Sequence, residues 1–172
     1  EYERMKISST ILWLFVIAIG LEMGAGLYET ILVVPLWANG TPESVAAYYQ
    51  LNTLNPEFAL NAGPRFWMFF TPTVGLLAIA TLLTGFRTSP EHRKWRIAGS
   101  IIAIFVIGIT FAWFVPNIIR LTYDVPNMSP SEIADTAKWW VNLNWGRVVF
   151  GLAAWICTLQ AFRIPQELPP PK

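Results

Sequence analysis

Four apolar stretches, each about long enough to cross a bilayer, constrain this chain more than any other feature of it. A helix needs about 20 mostly apolar residues to traverse the hydrocarbon. Such stretches lie at about residues 8–34, 66–84, 97–121 and 140–162. Of the 172 residues 54% are hydrophobic and 13% charged, against about 25% charged in a soluble domain. The solvent is therefore lipid, where every backbone polar group must find its partner inside its own segment, as in a helix. The expectation is an all-α integral membrane four-helix bundle, with residues 1–172 forming one four-span domain.

Local signals set the ends of the spans. The first run is rich in glycine and stops at Pro35, and Gly85 marks the exit of the second. Arg4 and Lys6 ahead of the first run resemble the charged region of a signal peptide, but the run outlasts one and reads as a retained anchor. Ser129-Pro130-Ser131-Glu132 supplies an N-cap, a first-turn proline and early acid for the fourth helix. A helix from Pro130 to Phe162 would measure about 50 Å, longer than the bilayer core is thick. It should project from the membrane or bend along its surface. Trp139, Trp140 and Trp145 fall where an interfacial aromatic belt would sit. Residues 37–64, with Pro42, Pro56 and Pro64, are longer than a helix link needs, and Val45–Leu51 suits a short interfacial helix. Asn39-Gly40-Thr41 matches a glycosylation sequon, although such matches are common by chance.

Cation placement gives the orientation. Arg4, Lys6, Arg87, Arg93, Lys94, Arg96, Arg163 and Lys172 fall on one side; Arg65, Arg120 and Lys138 fall on the other. The bias places both termini and the Arg87–Arg96 connection in the cytoplasm, with the cell (inner) membrane as the setting. His92 in that connection reads as a solvated surface residue. The net charge of +1 gives no sign of a nucleic-acid partner. With one cysteine (Cys157) and one histidine, an internal disulfide is impossible. The usual Cys/His ligand sets for zinc, haem or iron–sulfur are missing, so neither a metal nor a cofactor is expected.

Charged residues inside a span cost at least about 2.5–3.5 kcal/mol each on insertion scales and usually serve a function. The first span carries Glu22 and Glu29, seven residues apart and so on one helix face. Gly20-xxx-Gly24 would admit a close neighbouring helix. The third span ends in Asn117 and Arg120, and the fourth holds Asn142, Asn144 and Arg147. Helical rise puts Glu22 and Arg147 at one depth, and Glu29, Asn117 and Asn144 somewhat farther out. Trp113-x-x-x-Asn117-x-x-Arg120 and Trp140-x-x-x-Asn144-x-x-Arg147 each set an aromatic plane, an amide and a cation on one face. The combination suits a planar anionic or phenolic ligand. Two readings stand side by side: a buried Glu22–Arg147 pair that fixes helix register, or a site. In the site, Glu22, Glu29 and Arg147 are the candidate catalytic groups. Trp113, Asn117, Arg120, Trp140 and Asn144 are the candidate ligand-binding groups, around an outward-facing pocket.

The Gly-rich first span ending in Pro35, Pro116-Asn117 with Leu121 closing the third, and Trp140-x-x-x-Asn144-x-x-Arg147 opening the fourth resemble the small four-span membrane proteins grouped with the fungal anthrone oxygenases. The resemblance covers most of the chain. It implies a four-helix membrane bundle and, for some members, oxidation of a polycyclic phenol by dioxygen without metal or flavin. In that family a histidine often stands where this chain has Asn144, so Glu22 or Glu29 would act as the base here. The competing expectation is a non-catalytic structural or accessory subunit that meets partner subunits of a larger membrane complex. Its abundant Trp and Phe and the Pro165–Pro171 tail would supply the contacts. A carrier of lipids or quinones is a third.

Overall fold

A computed structural model describes residues 2–54 and 62–164. The expectations attached to Pro56 and to the Pro165–Pro171 tail, and to the side chain of Arg65, lie outside what is described. Every secondary-structure element among the described residues is helical: α1 Tyr2–Tyr28, α2 Val34–Ala38, α3 Pro42–Leu54, α4 Ala62–Gly85, α5 Pro90–Ile109, α6 Val115–Tyr123 and α7 Pro130–Arg163. Four continuous helical stretches, Tyr2–Ala38, Phe66–Gly85, Pro90–Tyr123 and Pro130–Arg163, are long and apolar enough to cross a membrane. The chain is an all-α integral membrane protein. Large apolar side chains such as Leu21, Phe69, Leu76, Leu83 and Phe105 point outward, as they do when lipid is the solvent.

The first span does not stop at Pro35. A π turn, Glu29–Val33, precedes it, and the helix continues to Ala38. The third span repeats the device with the π turn Thr110–Phe114 ahead of Pro116. In both, the residue before the proline donates its N–H five residues back, Val34 to the Glu29 carbonyl and Val115 to the Thr110 carbonyl. Proline has no N–H and its ring crowds the carbonyl four residues earlier, so the turn ahead of it widens instead of breaking. The stretch Val45–Leu51 is helical, within the longer α3 Pro42–Leu54. At the start of α7, the Ser129 backbone N–H donates to Glu132 Oε2 at 2.8 Å and the Glu132 N–H donates to Ser129 Oγ at 3.2 Å. This is the reciprocal capping box that its sequence announces.

By internal contacts the chain divides into two compact units, residues 2–23, 70–106 and 150–164 in one, residues 24–54, 62–69 and 107–149 in the other. The first unit packs on Leu12, Phe15, Ile19, Val74 and a series of small residues, Ala78, Ala103, Ala154 and Ala161. A Cβ on Gly99 would stand 2.7 Å from Thr158 Cγ2 and 3.0 Å from the Ala154 carbonyl, so only glycine lets α5 approach α7 this closely. Gly20 seats Trp155, whereas Gly24 faces open space; the expected Gly-xxx-Gly helix crossing reduces to one glycine holding one indole. Arg96 and His92 depart from their expected place in a solvated loop. Both lie on α5 and are buried, because that helix begins at Pro90 behind Ser89, whose carbonyl accepts the Arg93 N–H at 2.9 Å. The second unit packs on an aromatic core of Trp37, Tyr49, Phe114 and Trp140, with Val34, Val45, Leu121 and Ile133 around it.

Candidate functional site

The second unit gathers most of the polar side chains that its spans bury. Glu29 opens the first π turn, and Thr30 beside it is buried. The Thr30 hydroxyl donates to the Gly26 carbonyl at 2.7 Å and accepts from Asn144 Nδ2 at 2.9 Å. Asn144 Oδ1 in turn accepts from Arg147 Nη1 at 3.2 Å, one helical turn along α7. Thus α1 and α7 are joined by a run of hydrogen bonds that ends at a guanidinium. Such a chain satisfies groups that lipid would leave unpaired.

Glu29 accepts a hydrogen bond from the Trp67 side chain and lies in the field of Arg147. Its Oε2 is buried with no hydrogen-bond partner among the described residues. Arg147 is held between two rings, its guanidinium carbon 4.5 Å from the Phe114 centroid and 5.4 Å from that of Trp67. Cation–π contact of this kind is worth about 0.5–2 kcal/mol and orients the planar group. Phe114 also meets Trp140 edge-on at 4.9 Å, and Trp113 lies 5.7 Å from Trp140. Trp140 Nε1 is buried and without a partner among the described residues. A buried acceptor on Glu29 and a buried donor on Trp140 therefore lie in the same unit, linked through Phe114 and Arg147.

Glu29, Arg147, Asn144, Trp140 and Trp113 are thereby brought into one neighbourhood. Asn117 is used locally, its Nδ2 donating to the Trp113 carbonyl at 2.7 Å. Arg120 is exposed and pairs with Glu132 at 3.5 Å. Glu22 belongs to the first unit and is half-buried. Asn142 lines a different feature, a cavity of about 320 Å³ bounded by Asn39, Gly40, Val45, Lys138 and Val141 among others. The sequence reading missed Thr30, Trp67 and Phe114. Thr30 carried a signal, since a hydroxyl four residues after Gly26 in a span can bond back to its carbonyl; the two rings carried none.

Tyr49 on α3 belongs to the aromatic core and lies outside the spans. Its ring meets that of Trp37 at 5.2 Å. Burial pushes its phenol well above the ordinary value, helped by Tyr48 and the Glu29 carboxylate. Comparison with family models, with curated proteins and with solved structures found no match.

Proposed function

We propose that the second unit binds a planar phenolic molecule in the membrane and oxidises it with dioxygen to a quinone-like product, without a resident cofactor. The observation that carries this reading is Glu29, a buried carboxylate with one oxygen unmatched, beside a guanidinium stacked on aromatic rings. A phenolic O–H would donate to Glu29 Oε2 and pass its proton there, with Arg147 stabilising the phenolate. The unmatched Trp140 N–H suits a substrate carbonyl, and Trp113 offers a flat neighbour. A ring methylene conjugated to the phenolate then gives its electrons to dioxygen. The balance is CH2 + O2 → C=O + H2O, one oxygen atom entering the ketone and the other leaving as water. Asn117 would hold the turn that presents Trp113. The cation bias supports an inner-membrane setting with both termini cytoplasmic.

The test is dioxygen uptake by the full-length protein in detergent, supplied with a tricyclic hydroxyanthrone. Uptake matched one-to-one by ketone, falling at least about 100-fold in Glu29→Gln with helicity retained, is expected. Equal uptake by wild type and Glu29→Gln would remove Glu29 from the chemistry. One observation favours the second reading, an accessory subunit: Trp37, Phe114 and Trp140 meet edge to face as in a filled core. In that case Glu29→Gln leaves uptake at the level of buffer, and the protein co-purifies with stable partner subunits.

A further inference from the structure

The first unit holds a buried cation that no buried anion matches among the described residues. Arg96 is fully buried. Its Nη1 donates to Ser8 Oγ at 2.7 Å, and its Nη2 donates to the Ser8 carbonyl at 2.8 Å and to Thr84 Oγ1 at 3.3 Å. All three acceptors are neutral, and Nε has none among the described residues. Among those residues no carboxylate pairs with Arg96. Four residues before it on α5, His92 is also buried, its Nε2 bonded to the Ile164 carbonyl at 2.6 Å and its Nδ1 unmatched. Four residues after it, the buried Ser100 hydroxyl is unmatched as well. A face of α5 thus runs inward from the turn at residues 86–89 as a stripe of unmatched polar atoms around a positive charge.

The surroundings add to that charge. The described residues of the first unit carry seven cations, Arg4, Lys6, Arg87, Arg93, Lys94, Arg96 and Arg163, against Glu3, Glu22 and Glu91. Glu3 is already taken by Lys6 at 3.7 Å. Arg93 and Lys94 are exposed on the same first turns of α5, and Arg93 Nη2 is steadied by the Thr88 carbonyl at 3.0 Å. A buried charge is normally paired, and its field falls off slowly where the dielectric is low. Clusters of basic residues at the cytoplasmic ends of spans, the side on which cation placement puts this turn, suit anionic headgroups.

We propose that the start of α5 is a binding site for the phosphate of an anionic phospholipid. Arg93 and Lys94 contact the headgroup, and Arg96, buried on the same helix three residues after Arg93, acts as a fixed charge rather than a contact, with His92 one turn before it. Charge, not the fork of bonds to Ser8, is then what matters at position 96.

The experiment incubates the full-length protein in detergent with equal amounts of phosphatidylglycerol and phosphatidylcholine of matched chains. Native mass spectrometry then reads the bound ratio. Wild type and Arg96→Lys should retain phosphatidylglycerol at least about fivefold over phosphatidylcholine. Arg96→Gln should lose most of that preference. The surface double variant Arg93→Gln/Lys94→Gln, which leaves the buried bonds alone, should lose it too and decides the matter if Arg96→Gln does not fold. No preference in wild type, or full preference in the surface double variant, overturns the proposal. So does inorganic phosphate that abolishes the phosphatidylglycerol adducts and stabilises the protein as well as the lipid does, since the site would then be one for a free anion.

Discussion

Removing the Glu29 side chain while Arg147 stays takes a carboxylate out of the field of a guanidinium held among rings. Breaking one partner of a buried charge couple typically costs about 3–5 kcal/mol, whereas replacing both with apolar groups costs far less. Glu29→Leu should therefore destabilise more than Glu29→Leu with Arg147→Met, measured by reversible unfolding in mixed micelles. Additive losses would show that the two charges are not coupled. Tyr49 gives a second test in the same unit. Its phenol holds its proton more tightly folded than unfolded, so its contribution is fully present below about pH 10 and is lost as pH rises beyond that. Tyr49→Phe should flatten that alkaline loss of stability; an unchanged profile would assign it to other groups. At this scale the sequence was half legible. The expense of Glu29, Asn144 and Arg147 inside spans marked them out. The burial of His92 and Arg96 was hidden, because a run of charges after Ser89-Pro90 looks the same whether it lies in a solvated link or inside the first turns of a helix.

Helix ends and helix contacts were read with uneven success for the same kind of reason. The α7 start is encoded locally, by a serine and a glutamate three residues apart, and it formed as written. Ser129→Ala should cost about 1 kcal/mol, seen as a lower unfolding midpoint, and a loss below a few tenths would mean the box is idle. The two π turns are also local in origin, since each stands directly ahead of a Val-Pro pair. The sequence rule that proline ends a helix failed at Pro35 because in lipid a broken helix leaves carbonyls with no water to bond. Tight approach of α5 to α7, by contrast, depends on what faces Gly99, and no spacing in α5 alone reveals Thr158. Gly99→Ala should cost about 1–3 kcal/mol by overpacking, with Gly108→Ala, which faces open space, as the neutral control. Equal effects from the two would remove the close approach from the account.

Across the whole molecule, hydropathy fixed the number of spans because lipid imposes one requirement on all of them, and the four helices follow it. The sidedness proposed from charge is open to test: cysteine placed at Arg93 should resist an impermeant reagent on intact cells, while one at Thr41 reacts. The reverse pattern would invert the chain. The candidate site was the least legible, since Glu29, Trp67, Phe114 and Arg147 come from four different spans and meet only in the fold. The most direct test of the central claim is a titration of the full-length protein with a hydroxyanthrone, followed by tryptophan fluorescence. Saturable quenching in wild type that is lost in Arg147→Met, with helicity unchanged, is the result predicted. Quenching that rises without saturating and is the same in both proteins, as for simple partition into the micelle, would contradict a site in the second unit.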